Sequence, residues 1–405
     1  MKIENPEKDS RLDHWMFWLC MIDIFFLPYV WFVSVLYTMP FIYYWVIKRY
    51  SALEGRKDFK LFSVLLLLMA ASTVYSYVLA PGYAYKNTVY LIQFTTIFLY
   101  YFLFSFYLQR YPFQAKRILY LFLAFMTVLA VCYCINKGMY HQLRIFWNYR
   151  SGISINDTVY EEFTGYRYAF IFMDANNAGY LADAVLLYLL CNEKIKIYVK
   201  ILSTAACVFI LTACMSNGAI VAFGVGAVAY LFVKLRKLPK VNVNQKFQLS
   251  VGSVLIYLTM IIAAVYLIPL IPEYFKSGVG LEFLDRISEN SPDSRFRIWE
   301  YIMQHVDFWE YLLIGKGGVT LVDGVSYAPH NGHLYLILNY GFIAYFIFMY
   351  LVFRKRAGQT LETYIWILPI FIGFSINVML GEIKLMGVVM LLLACCESRL
   401  VKEQT

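Results

Sequence analysis

The sequence predicts an all-α, polytopic membrane protein with about twelve transmembrane helices, and three observations predict it. Composition comes first: 61% of the 405 residues are hydrophobic and 15% are charged, against roughly 25% charge in a soluble domain. The apolar residues also come in runs. Phe59 to Ala80, Asn87 to Leu108, Ile118 to Ile135, Leu249 to Ile271 and Leu334 to Phe353 each approach the roughly 20 residues that cross a bilayer. Hydrocarbon offers no partner to backbone amides, so such runs must be helices. The third observation is the placement of basic residues, taken up below.

Spans are expected at 15–28, 30–47, 59–80, 87–108, 118–135, 170–191, 198–215, 219–233, 249–271, 334–353, 364–380 and 383–396. The stretch Trp15 to Val46 is too long for a signal-peptide core, and no small-residue cleavage site closes it. It is too long for one straight span, and Pro28 and Pro40 interrupt it, so it is divided in two. No internal repeat or low-complexity tract breaks the chain, and 1–405 reads as a single integral membrane domain. The eight cysteines fall in or at the ends of spans and none in a long loop. They read as small apolar packing residues, not as a disulfide framework.

This division sorts 24 of the 35 lysines and arginines onto one side and 11 onto the other. The richer side is expected to be cytoplasmic. Both termini then face the cytoplasm, which requires an even number of spans. The net charge of +9 belongs to this rim and calls for no nucleic acid.

Two long connections remain, 136–169 and 272–332, both on the extracytoplasmic side. The second precedes the third-last span. Cytoplasmic connections are short, so the polar investment lies outside, where long loops carry function. The second loop holds an R-x-x-x-W pattern, Arg295 to Trp299, within Ser291-Pro-Asp-Ser-Arg295-Phe-Arg297-Ile-Trp299. Arg295, Arg297 and Trp299 fit one amphipathic helix, and guanidinium groups near a membrane face suit phosphate. A solvated arginine pair has the same pattern. The glycine cluster Gly315-Lys316-Gly317-Gly318 follows, and then Pro329-His330-Asn331-Gly332-His333 leads into a span. Pro329 suits a first helical turn. His330 can take a proton near neutral pH, although a structural histidine fits as well. His330 and His333 lie three apart, but no third ligand accompanies them at a metal-site spacing, so no metal is expected.

The first loop ends in Gly165-Tyr-Arg167, with Asp174-Ala-Asn176-Asn177 following at the mouth of a span. Polar groups there need a cavity or partners; a helix cap is the other reading. Asp183 and Asp23 raise the same question and are left outside the site. Tyrosine is abundant, 36 residues, much of it expected in interfacial belts.

These pieces together resemble the bacterial O-antigen polymerase and ligase superfamily, which includes Wzy-type capsule and exopolysaccharide repeat-unit polymerases. The resemblance rests on Ser294-Arg295-Phe-Arg-Ile-Trp299, Gly315-Lys-Gly317, His330-Asn331 opening a span that reaches Gly341, and Arg167 upstream of Asp174-Ala-Asn176. It covers about 180 residues. Ala175 stands where the family often has proline, and Ser216-Asn217-Gly218 where it often has a Ser-Arg pair.

The resemblance implies a GT-C-type fold and inverting glycosyl transfer from a polyprenyl-pyrophosphate-linked glycan at the outer face of the cytoplasmic membrane. His330 would be the base. Arg167 and Arg295, with Arg297 in reserve, would bind pyrophosphate. Asn331, Asn176, Asp174 and Trp299 would support them. The expected partners are lipid-linked donor and acceptor, the bilayer and a chain-length regulator; no cofactor is implied. An O-antigen ligase, passing the glycan to lipid A core or protein, shares these features. A lipid-linked-sugar flippase shares the span count, but such transporters carry ionisable groups at mid-membrane and short loops on both sides.

Overall fold

The structure is a computed structural model. It describes residues 6–28, 37–79, 84–148, 167–172, 174–192, 195–236, 240–244, 247–250, 295–317, 321–322, 325–326, 329–356 and 359–404. They form helices α1 (Pro6–Phe25), α2 (Met39–Glu54), α3 (Lys57–Leu79), α4 (Ala84–Arg110), α5 (Pro112–Ile135), α6 (Lys137–Asn148), α7 (Ala175–Asn192), α8 (Ile197–Cys214) and α9 (Asn217–Leu235). After the hairpin β1 (Lys240–Asn244) and β2 (Phe247–Ser250) come α10 (Arg295–His305), the short pair β3 (Leu321–Val322) and β4 (Val325–Ser326), α11 (Gly332–Phe353), α12 (Leu361–Tyr364), α13 (Ile367–Ile376) and α14 (Ile383–Gln404).

The protein is an all-α, multi-pass membrane protein. Six helices, α3, α4, α5, α8, α9 and α11, are long and apolar enough to cross a bilayer. Several carry a stripe of exposed large apolar side chains that only lipid can cover. On α5 the stripe is Leu121, Val128 and Ile135, at 67%, 62% and 81% exposure and seven residues apart.

Two other helices run through the middle instead. Residues 178–189 of α7 and 383–396 of α14 are buried on all sides. Helix α14 makes its largest contact with α4. A helix surrounded by protein needs no continuous apolar surface, which is why α7 tolerates Asp183 and α14 tolerates Lys384.

Three expectations are corrected. The span expected to open at residue 170 begins at Ala175, because the described residues 167–172 and 174 are not helical. The loop 136–169 opens with a helix, α6, which buries Tyr140, Arg144, Trp147 and Asn148. The span at 364–380 is reduced to the ten-residue α13, with α12 before it and a short 3-10 turn, Met379–Gly381, after Asn377. Of the span expected at 249–271, residues 249 and 250 belong to the hairpin; the rest lies outside the described residues.

Ion pairs sort the helix ends into one rim. Asp13 on α1 holds Arg49 of α2 at 2.7 Å. Arg56, between α2 and α3, reaches Glu397 of α14 at 2.9 Å. Asp58 of α3 receives Arg354, just past α11, at 2.5 Å, and Lys234 of α9 pairs with Glu362 of α12. Buried Arg356 donates to the carbonyls of Leu351, Val352 and Arg354, satisfying groups that the end of α11 leaves open. All these segments were assigned to one side by charge. The opposite ends of α7, α9, α11 and α13 lie beside Arg167, Ser216, His330 and Asn377.

Helix α11 is broken at Gly341, with φ 86° and ψ 167°. The break frees two carbonyls, and the loop before α11 fills them. Lys316 N–H donates to Leu338 O at 2.9 Å and Gly317 N–H to Asn339 O at 2.6 Å. A Cβ at Gly341 would meet Ile314 N and Leu313 C at 2.9 Å. Gly341→Ala should therefore cost about 1–3 kcal/mol for the glycine-only backbone alone, read as a lower Tm in detergent. Single cysteines placed at Trp309 and Arg236, in a background without the native cysteines, should label with impermeant maleimide from opposite sides of the membrane.

Candidate functional site

The buried stretch from Tyr168 to Phe172 is a short non-helical insertion into the bundle. Its backbone groups find partners one by one. Tyr168 N–H donates to Ala213 O at 3.1 Å. Ala169 N–H donates to the Tyr140 hydroxyl at 2.8 Å, and that hydroxyl donates to Phe170 O at 2.8 Å. Arg144 Nε donates to Phe172 O at 3.0 Å and Asn148 Nδ2 to Ile171 O at 3.2 Å. Thus α6 exists to satisfy this segment, as burial in a low-dielectric bundle requires. Phe170 turns it with φ 57°.

At its start, Arg167 Nε donates to Cys214 O, the last carbonyl of α8, at 3.0 Å. Its Nη2 donates to Asn176 Oδ1 at 2.9 Å. The same Asn176 oxygen accepts from Ser216 Oγ at 2.7 Å. Ser216 also caps α9 by accepting from Ala219 N–H. At the other end of the segment, Asp174 Oδ1 accepts from Asn176 N–H at 2.8 Å, which starts α7. Asp174 Oδ2 accepts from Asn377 Nδ2 at 2.6 Å, and Asn377 also reaches Asn177 Oδ1 at 3.1 Å. One guanidinium, one carboxylate, the N-termini of α7 and α9 and the C-termini of α8 and α13 therefore meet at one place. The guanidinium and the two N-termini favour an anion, while the end of α8 and, through Asn176, Asp174 and the end of α13 hold the guanidinium in place.

The second group lies around the start of α11. Trp299 of α10 donates its Nε1–H to Pro329 O at 2.6 Å. His330 follows, exposed and left-handed at φ 46°. Asn331 then caps α11, its Oδ1 accepting from His333 N–H at 2.9 Å and Leu334 N–H at 3.1 Å. Pro329 thus lies before the helix, not in its first turn. His333 Nε2 lies 2.9 Å from Ser375 Oγ and its Nδ1 3.2 Å from Tyr345 Oη; its ring meets Phe374 edge-on at 4.9 Å. With both nitrogens occupied, His333 reads as a structural histidine.

The structure thus joins Arg167, Asp174 and Asn176 directly, whereas Trp299, His330 and Asn331 are neighbours along the chain path, Trp299 bonding the Pro329 carbonyl and Asn331 the first amides of α11. Asn377 ties the first group to the end of α13, and Ser375 ties α13 to His333 in the first turn of α11. Arg297 is exposed on α10, and no described bond ties it to either group. The side chain of Arg295 lies outside the described residues. Asp183, on α7, accepts from Cys207 Sγ at 3.4 Å, and Asp23 accepts from Thr38; neither belongs to these two groups.

Sequence reasoning missed Asn377, Ser375 and the supporting role of Arg144. Asn377 left a signal, a lone amide in the apolar run 367–380. Ser216 was noticed only as a departure from a family pattern, and it is part of the cluster. No protein-family profile matches the chain, and no curated protein matches it significantly.

Asn377→Leu removes the described donor to Asp174 Oδ2 at a site that is mostly buried. Leaving such a group unsatisfied costs about 1–3 kcal/mol, so Tm should fall. Asn377→Asp should be worse than Asn377→Leu, because it sets a second carboxylate against the first.

Proposed function

We propose that this chain is a repeat-unit polymerase of the O-antigen polymerase and ligase superfamily, with twelve spans, a GT-C-type architecture and both termini in the cytoplasm of a bacterium. In this reading it joins polyprenyl-pyrophosphate-linked oligosaccharides into O-antigen or capsular polysaccharide at the outer face of the cytoplasmic membrane. A chain-length regulator is the expected protein partner. The observation that supports the reading is that two segments distant in sequence both bond to the end of α13, one through Asn377 and the other through Ser375 and His333. One carries a guanidinium beside two helix N-termini, the other an exposed imidazole.

Those parts suit transfer from a diphosphate. The acceptor sugar hydroxyl gives its proton to the His330 imidazole. Its oxygen bonds to the anomeric carbon from the face opposite the diphosphate. The bond from that carbon to the diphosphate oxygen breaks, the electron pair leaves with the polyprenyl diphosphate, and configuration inverts. Diphosphate is a competent leaving group, so the protein must mainly supply positive charge and a base. Arg167 is the arginine best supported for the diphosphate. Arg295 and Arg297, on the helix tied through Trp299 to the carbonyl before His330, are the remaining candidates. Asn176 and Asp174 hold Arg167 and its turn, and Asn331 fixes the start of α11 beneath His330. The low-dielectric membrane edge strengthens each charge contact.

Purified protein with synthetic lipid-linked repeat units should give longer lipid-linked products without any other protein. His330→Asn, whose side chain tolerates a left-handed backbone, should slow the reaction by roughly 10²–10⁴-fold. Arg167→Gln should remove about 3–4 kcal/mol of transition-state stabilisation, by comparison with one oxyanion donor. Transfer only to a lipid A core or protein acceptor would identify a ligase. Transbilayer movement without bond formation would identify a flippase. Wild-type rates in His330→Asn would remove the base.

A further inference from the structure

Lys316 is not used by the mechanism above, yet the protein builds a site around it. The backbone on either side is fixed at three points. Gly315 N–H donates to Ser72 Oγ of α3 at 3.1 Å, and the amides of Lys316 and Gly317 occupy the carbonyls freed by the break in α11. Gly317 has φ 74°, and a Cβ there would stand 2.5 Å from Ser72 O. Both glycines are therefore required by close approach.

The ammonium so presented is partly buried, 18% exposed. It lies 5.2 Å from the Tyr311 ring centroid and 5.6 Å from that of Tyr75 on α3. Its described carboxylate neighbour is Glu310, 3.8 Å away and 64% exposed, a contact that water screens. Burial pushes the Tyr311 phenol up to about 12, so it stays protonated and able to donate.

The surroundings are apolar and outward-facing. Val78 and Leu79 at the end of α3 are 75% and 42% exposed; Trp309, Leu312 and Leu313 are 81%, 49% and 60% exposed. A cation between two tyrosine rings, on segments that also expose aliphatic and tryptophan side chains, suits an amphiphile with a phosphate head and a hydrocarbon tail. The Arg167 cluster occupies a different place. Helix α11 packs on both α3 and α13; Lys316 lies against α3, the Arg167 cluster bonds the end of α13, and His330 precedes the first turn of α11.

We propose that Lys316 and the hydroxyls and apolar side chains around it form a second lipid-phosphate site, which takes the diphosphate of the acceptor glycolipid. This rests on the polymerase reading, in which both substrates are lipid-linked and two diphosphates must be held at once. The two sites then lie by two different neighbours of the helix that His330 precedes, α3 and α13.

The test is equilibrium binding of radiolabelled undecaprenyl diphosphate to the full-length protein in nanodiscs of neutral lipid. Two equivalents are expected. Lys316→Gln should weaken one by roughly tenfold, which corresponds to about 1.4 kcal/mol, and Lys316→Arg should restore it. Arg167→Gln should weaken the other. Two unaltered equivalents in Lys316→Gln, or a single equivalent in the wild type that only Arg167→Gln removes, would overturn the proposal. If phosphatidylglycerol vesicles compete at the Lys316 equivalent and neutral vesicles do not, the site takes a phospholipid headgroup and the acceptor assignment falls. Loss of binding in Lys316→Gln but not in Arg167→Gln would support the lysine site while counting against the polymerase reading.

Discussion

A peptide group inside a membrane bundle must find its hydrogen-bond partner within the protein. Leaving one unpaired in an apolar environment costs about 2–7 kcal/mol. A regular helix meets the demand automatically but spreads its side chains around a cylinder, which is a poor way to gather several polar groups at one point. This protein departs from the α-helix in 167–172 and at 174, in 313–317 and between Asn377 and Glu382. In each case the freed groups have identifiable partners. Side chains of α6 serve the first segment. The second segment and the broken α11 serve each other. After α13, Val378 N–H donates to the side chain of Asn377. Only because these debts are met can Arg167, Asp174 and Asn377 leave the helical periodicity and converge.

The two ends of the bundle use charge differently. At the rim expected in the cytoplasm, carboxylates and arginines of different helices neutralise one another, and Arg356 caps the end of α11. These contacts fix helix ends to helix ends. At the opposite end, the described contacts of Arg167 are a backbone carbonyl and an amide oxygen, both neutral acceptors. Such contacts orient the guanidinium. Lys316 has aromatic faces close by and an exposed carboxylate neighbour.

The sequence made the membrane class and most helix positions readable, because apolar runs and basic rims report directly on lipid and on sidedness. It concealed what lies beneath the surface. Helix α6 sits in a stretch read as a loop, since its buried face is built from Tyr140, Arg144 and Asn148 rather than aliphatic residues. The start of α7 was placed five residues early because Phe170, Ile171 and Phe172 look like a span; they are buried in the bundle, not in lipid. Arg167, Asp174 and Asn176 were legible as a local group, and their mutual bonds follow from short sequence separation. Asn377 joins them from 203 residues away, and no local pattern encodes that contact.

The placement of His330 follows from the same economy. Were it within α11, its backbone would be tied to the helical ladder. It stands instead one residue before the cap Asn331, in a left-handed conformation that costs a non-glycine residue of order 1–3 kcal/mol. That strain persists only if both flanks are held. Asn331 holds one flank through two amides of α11. Trp299 holds the other through the Pro329 carbonyl, and Trp299 belongs to the same short helix as Arg295 and Arg297. The backbone that presents the imidazole is thereby coupled to the helix that carries two arginines. Whatever fixes α10 therefore also fixes the residue before His330, so the position of that helix and the backbone that presents the imidazole are mechanically coupled.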